Sequence, residues 1–288
     1  MNETTGKKLI LVIAAVLCLV VIFFAIQGTD DQPGEEEQAG AEGQNVTAET
    51  EGQQQSSSIT VSAASSLTEA FTDIATAFET EHPGTDVKLN FAGSGTLRMQ
   101  IEGGASIDVF ASASESHMNL LSEEELIEES SRTDFTSNTL VMVVPDSTIE
   151  SGTYPVSLEN LTSDSVEKIA IGNPETAPVG KYAEQALEEA GLWDQLQEKL
   201  IYAENVKQVL TYVETGEVEA GFVYRTDAES GQKDLYEITY TVPVNASISY
   251  PIAVINGSEN KDLAQEFVNF VTGSEGQEIL NGYGFGEA

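Results

Sequence analysis

The stretch Ile59-Thr60-Val61-Ser62-Ala63-Ala64-Ser65-Ser66-Leu67 decides how the rest of the chain is read. Ile59 to Ala64 has the residues of a short strand, and it ends in small and hydroxyl-bearing side chains. Leu67, Phe71, Ile74 and Phe78 follow at three- and four-residue intervals, so they share one face of a helix. A strand that feeds a helix in this way is the elementary unit of an α/β fold.

The same alternation continues downstream. Strands are predicted at Val87–Ala92, Asp108–Ala113, Leu140–Val144, Lys168–Gly172, Leu200–Ala203, Gly221–Tyr224 and Ser249–Ile255. Between them helical patterns cover Thr96–Glu102, the segment through Met118 and Leu121, Gly180–Ala190, Val206–Thr215 and Leu263–Val271. Such alternation implies largely parallel sheets with helices on both faces. One large sheet or two smaller ones would accommodate it, and no internal repeat is evident.

Upstream the character changes. Thr29 to Ser58 is rich in Glu, Gln, Gly, Ser and Thr, with Val46 as its only large apolar residue. Such a segment cannot bury enough surface to fold and is expected to be a flexible acidic linker. Before it, Leu9 to Ile26 runs without a charge behind Lys7 and Lys8. That length suffices to cross a bilayer, and the two lysines favour an inside N-terminus. Residues 1–28 are therefore expected to be an uncleaved membrane anchor, with everything beyond them extracytoplasmic. Cleavage near Ala25 and lipid attachment at Cys18 are the alternatives. Neither has the small residues that its processing site needs. Cys18 is the only cysteine, so no disulfide holds the domain.

The formal charge is −36. Thirty-nine of the 48 acidic residues but only ten of the 12 basic ones follow residue 58, which leaves −29 on the domain. Nucleic acid and anionic lipid headgroups are excluded as partners on that ground.

In parallel sheets, ligands lie beyond the carboxyl ends of strands, against the next helix. Four strand-to-helix junctions share one chemistry. They are Val61–Leu67, Phe91-Ala92-Gly93-Ser94-Gly95-Thr96-Leu97, Asn173–Gly180 and Ala203-Glu204-Asn205-Val206. A helix start presents unpaired N–H groups and about half a positive charge. Several such starts with serine hydroxyls would surround an anion without lysine or arginine. Taken singly, Ser66, Ser94 and Asn205 read as ordinary N-caps.

These residues, together with Gln100–Phe110, Gly172-Asn173-Pro174, Pro178-Val179-Gly180-Lys181-Tyr182-Ala183, Gly221–Ala228, Tyr250–Val254 and Tyr283-Gly284-Phe285, closely resemble the molybdate-binding proteins of ABC transporters. The resemblance spans Ile59 to the C-terminus. It implies a two-lobed, type II periplasmic-binding-protein-like fold with the ligand cleft between the lobes. Lobe 1 is expected at about 59–141 and 246–288 and lobe 2 at about 142–245, with crossings near Leu140–Pro145 and Val242–Ser249. It also implies that a tetrahedral oxyanion, molybdate or tungstate, is held by the hydroxyls of Ser66 and Ser94, the backbone amides of Val179 and Val206, and the Tyr224 hydroxyl. No cofactor and no metal ligand is expected, since the metal arrives as its oxyanion. The implied partner is a membrane permease, and the implied state a monomer.

Two rivals remain at this level. One is the same scaffold tuned to sulfate or another small anion. The other is a surface hydrolase using Ser66 or Ser94. A nucleophilic serine needs a base, and the only histidines, His82 and His117, read as ordinary surface residues. A sensor domain is disfavoured because no signalling module precedes Ala288.

Overall fold

The computed structural model describes residues 57–245 and 247–288. The predicted anchor, Cys18 and nearly all of the predicted linker therefore lie outside the described residues. In chain order the first half comprises β1 (Ser57–Ala64), α1 (Thr68–Glu81), β2 (Thr85–Ala92), α2 (Ser94–Glu102), β3 (Val109–Ala111), α3 (Glu115–Glu123) and β4 (Thr133–Asn138). There follow β5 (Leu140–Pro145), α4 (Asp146–Glu150), β6 (Ile169–Gly172), α5 (Pro178–Glu189), α6 (Trp193–Leu196) and β7 (Leu200–Ala203). The chain continues through α7 (Val206–Glu214), β8 (Ala220–Tyr224), α8 (Arg225–Ser230) and β9 (Tyr236–Thr241). It closes with β10 (Ile248–Val254), α9 (Lys261–Thr272) and α10 (Ser274–Gly282).

These strands form two five-stranded sheets, ordered β2-β1-β3-β10-β4 and β7-β6-β8-β5-β9. The two have the same plan. Three neighbouring strands run parallel, the fourth is antiparallel to the third, and the fifth is antiparallel to the fourth. The sheets are thus mixed, where largely parallel sheets are expected from the strand–helix alternation. The departure has one cause in each lobe: β5 and β10 enter from the other lobe rather than through a right-handed crossover helix. Every residue of β5 and β10 is buried, as befits strands inside the sheet.

The chain passes between lobes first at Thr139, the single residue between β4 and β5. Leu140 pairs with Tyr224 and Val141 with Val223. β4 itself is too polar to read as a strand from the sequence (Thr133-Asp134-Phe135-Thr136-Ser137-Asn138). The return crossing lies between β9 and β10. Ser57 and Ser58, assigned by composition to the linker, begin β1 by pairing with Thr85 and Asp86.

Helix packing follows the apolar spacing. On α1, Ala70, Phe71, Ile74, Ala75 and Phe78 are buried, and on α9, Ala264, Phe267, Val268 and Val271. The two faces meet through aromatic edges, with Phe78 and Phe267 centroids 5.3 Å apart. Such pairs contribute roughly 0.5–1.5 kcal/mol beyond the area they bury. No helix among the described residues is long and apolar enough to cross a membrane.

Candidate functional site

β1 and β2 end at Ala64 and Ala92, β6 and β7 at Gly172 and Ala203, and each is followed by a turn into a helix. The four predicted junctions converge on one cavity between the lobes. Ser66, Ser94, Val179, Val206 and Tyr224 all line it. It is small, with a free volume of about 10 Å³. Among the described residues, no lysine, arginine, histidine or carboxylate lines it.

Each lining group has a reason to face inward. Ser66 lies in a 3-10 turn, Ser65–Leu67, that precedes α1 and caps nothing with its side chain. Its hydroxyl is 3.0 Å from that of Tyr250. Ser94 opens α2, and its oxygen accepts from the Ala113 N–H at 3.0 Å. Its own proton therefore remains to be donated. Val179 follows Pro178, which is pre-set for the first helical turn. Val206 is the first residue of α7. Both valines thus belong to first turns, whose N–H groups have no partner within the helix. Asn205 behaves as the plain N-cap: its side chain accepts from the Gln208 N–H at 3.1 Å. Tyr224 ends β8 almost fully buried, and among the described residues its hydroxyl makes no well-formed hydrogen bond. Burial, then the neighbouring Tyr250, Tyr182 and Asp227, push this phenol far above its ordinary range. It is protonated and a donor.

The lobes are shut around the cavity. The Gly95 N–H of α2 donates to the Thr176 carbonyl of the opposite lobe at 2.8 Å. A Cβ on Gly95 would lie 2.7 Å from Thr176 Cα, and one on Gly93 would lie 2.7 Å from the Thr176 oxygen. Only glycine allows these backbones to approach so closely.

Beside the cavity stands an ion cluster that the sequence reading did not single out. Lys207, one residue past Val206, reaches Glu69 of α1 at 2.7 Å and Asp227 of α8 at 3.1 Å. Burial opposes the charge on Lys207, but Asp227 and Glu69 outweigh it and hold the ammonium above its usual range. The buried Asp227 carboxyl is pushed up to about 6, chiefly by burial and against the pull of Lys207. A cation in the first turn of a helix opposes the helix dipole. That is the signal by which Lys207 is recognisable in the sequence as needing a partner. Tyr250, Asn138 and Asp227 are likewise missed, the first and last despite lying in quoted stretches.

Neither histidine lines the cavity. His82 stacks on Phe78 at 4.0 Å. His117 is not the surface residue expected: it is half-buried, its Nδ1 has no hydrogen-bond partner among the described residues, and burial followed by Arg98 lowers its pKa to about 4. Among the described residues no group of three or more His, Cys, Asp or Glu side chains could hold a metal ion.

Two mixed α/β lobes closing on a small, uncharged, donor-lined cleft define a solute-binding protein. The family model for bacterial extracellular solute-binding proteins matches residues 59–286, and the chain belongs to that family. It is 39% identical over 233 residues to the molybdate-binding protein ModA of Escherichia coli, covering 79% of this chain and 88% of that one. The Haemophilus influenzae molybdate-binding protein ModA is 31% identical over 230 residues, covering 80% and 90%. The solved periplasmic molybdate-binding protein of Azotobacter vinelandii superposes with a TM-score of 0.67 at 24% identity. It covers 79% of this chain and 98% of its own, and shows the two-lobed type II fold. The resemblance noted in the sequence thus extends across the folded chain.

Proposed function

We propose that this protein is the extracytoplasmic solute-binding component of an ABC importer, capturing molybdate or tungstate and delivering it to a membrane permease. The observation that carries the ligand class is the cavity itself. Its lining offers the Ser66, Ser94 and Tyr224 hydroxyls and the first turns of α5 and α7, with no charged side chain. The first two hydroxyls have hydrogen-bonding partners behind them, and Tyr224 makes no well-formed hydrogen bond among the described residues. The similarity to molybdate-binding proteins supports the choice among oxyanions.

In this reading Ser66 and Ser94 bind from lobe 1, and Val179, Val206 and Tyr224 from lobe 2. A fully ionised oxyanion has only acceptors and satisfies every donor. Hydrogen phosphate carries a proton for which this lining provides no good acceptor. Sulfate offers the same acceptor pattern as molybdate in a smaller body, so it is rejected by size. Closure removes water, and low screening inside the cleft strengthens each hydrogen bond. The protein performs no chemistry on the solute, uses no cofactor and works as a monomer. The N-terminal segment tethers it to the outer face of the cell membrane.

Calorimetric titration of the full chain with molybdate, tungstate, sulfate and phosphate tests this. One-to-one binding of molybdate and tungstate, with no heat from the other two, is the expected result. Binding of sulfate alone would transfer the site to that anion, and silence from all four would remove inorganic oxyanions from consideration.

A further inference from the structure

Behind Ser66 lies a chain of hydrogen bonds whose direction is fixed from its far end. Asn138, the last residue of β4, adjoins the crossing at Thr139. Its Oδ1 accepts from the Thr139 N–H at 2.8 Å, which fixes the orientation of the amide. The Nδ2 group therefore donates, to Thr226 Oγ1 in lobe 2 at 2.8 Å and to the Tyr250 hydroxyl in lobe 1 at 3.2 Å. Tyr250 is fully buried, and beyond Asn138 the hydroxyl bonded to its own is that of Ser66, at 3.0 Å. Burial and the charge of Asp227 keep the phenol protonated. If Ser66 donated to Tyr250, the Tyr250 proton would be left to the neighbouring Tyr224 hydroxyl, with which no well-formed hydrogen bond exists, a costly arrangement. Every group is satisfied when Asn138 donates to Tyr250 and Tyr250 donates to Ser66. The Ser66 proton is then directed into the cavity.

We infer that Tyr250, which does not itself line the cavity, is a positioning residue that fixes Ser66 as a hydrogen-bond donor to the bound oxyanion, with Asn138 orienting Tyr250 from the hinge. The inference rests on the proposed oxyanion function and adds to it a residue outside the ligand shell. Linked hydrogen bonds polarise one another, so the donor strength of Ser66 depends on the group behind it. Because Asn138 also holds Thr226, the same amide joins the anion site to the segment about which the lobes turn.

The test is a double-mutant cycle read by molybdate titration of the full-length protein. Tyr250→Phe keeps the ring, which packs edge-on against Phe135, Tyr224 and Phe285, and removes only the hydroxyl. With Ser66 present it is expected to weaken molybdate binding about three- to tenfold. In a Ser66→Ala background the same change is expected to alter the affinity by less than about twofold, because the group being positioned is gone. An equal loss in both backgrounds would mean that Tyr250 acts only through general packing and would overturn the inference, as would no loss with Ser66 present. A wild-type protein that fails to bind molybdate would instead sink the oxyanion reading on which the inference stands.

Discussion

Tyr224 is 1% exposed, and its hydroxyl makes no well-formed hydrogen bond among the described residues. A buried unpaired hydroxyl costs roughly 1–3 kcal/mol, so folding alone would favour phenylalanine here. The oxygen makes sense as a ligand contact. Tyr224→Phe is therefore expected to leave the melting temperature of the ligand-free protein unchanged or higher while weakening molybdate binding about tenfold. A lowered melting temperature with intact affinity would remove Tyr224 from the site. Ser94 should behave differently, because its oxygen also accepts from the buried Ala113 N–H. Ser94→Ala should weaken binding about ten- to a hundredfold and also destabilise the ligand-free protein by about 1–3 kcal/mol. Calorimetry and thermal melts on the same two variants separate a hydroxyl kept for the anion from one that serves both ends.

Glycines at the junctions show how the elements divide the work. Gly180 packs against its own lobe, where an added Cβ would collide with the Gly172 carbonyl of β6. Gly95 is tight only against Glu175 and Thr176 of the other lobe. Gly180→Ala should therefore damage folding. Gly95→Ala should leave the melting temperature of the free protein nearly unchanged while abolishing tight molybdate binding, because the lobes can no longer meet. If Gly95→Ala binds normally, the Gly95–Thr176 contact is not required for capture. The same contrast explains what was legible beforehand. Helix starts and their serines are local features, so the four junctions are legible from the sequence pattern, whereas the roles of Ser66, Ser94, Val179, Val206 and Tyr224 are what the family resemblance implies. Among the junction residues weighed as caps, only Asn205 caps with its side chain. β4 and β9 escaped notice because Thr133–Asn138 and Tyr236–Thr241 are only partly buried edge strands, one on each sheet, and carry many polar residues. The mixed strand directions were hidden for a different reason. They depend on which lobe β5 and β10 join, and nothing local to those segments encodes that. Asn138, Tyr250 and the Glu69–Lys207–Asp227 cluster unite residues far apart in the chain, so sequence spacing could not bring them together.

At the scale of the whole molecule, that cluster links stability to pH and closure to salt. Asp227 has a folded-state pKa of about 6 against an ordinary 3.8, raised mainly by burial. A raised acid favours folding while protonated. Its contribution is full below about pH 4 and is lost as the pH climbs through 6. Asp227→Asn removes this titration. The stability of the natural protein relative to this variant should fall by about 2–3 kcal/mol between pH 4 and pH 7. Denaturant melts at the two pH values would measure it, and a constant difference would show that Asp227 does not titrate in this window.

Salt should act on binding in two opposed places. The domain carries −29 over its surface, so a dianion is repelled on approach, and the repulsion reaches about 8 Å at physiological ionic strength and further in dilute buffer. Once the lobes close, Lys207 of α7 meets Glu69 of α1 at 2.7 Å, a contact between lobes that opening must break. Low salt should slow molybdate association through the first effect and slow its release through the second. The affinity alone would hide both. Stopped-flow measurement of the two rates across ionic strength separates them. Glu69→Gln removes one surface charge of many and leaves the association rate and its salt dependence nearly as they were. It should raise the release rate about two- to fivefold at low salt and flatten the salt dependence of release, as expected for a half-exposed ion pair contributing up to about 1 kcal/mol. If release from Glu69→Gln stays as slow and as salt-sensitive as from the natural protein, Lys207 serves only to neutralise Asp227 within its own lobe, and closure is held by the anion and the Gly95–Thr176 contact.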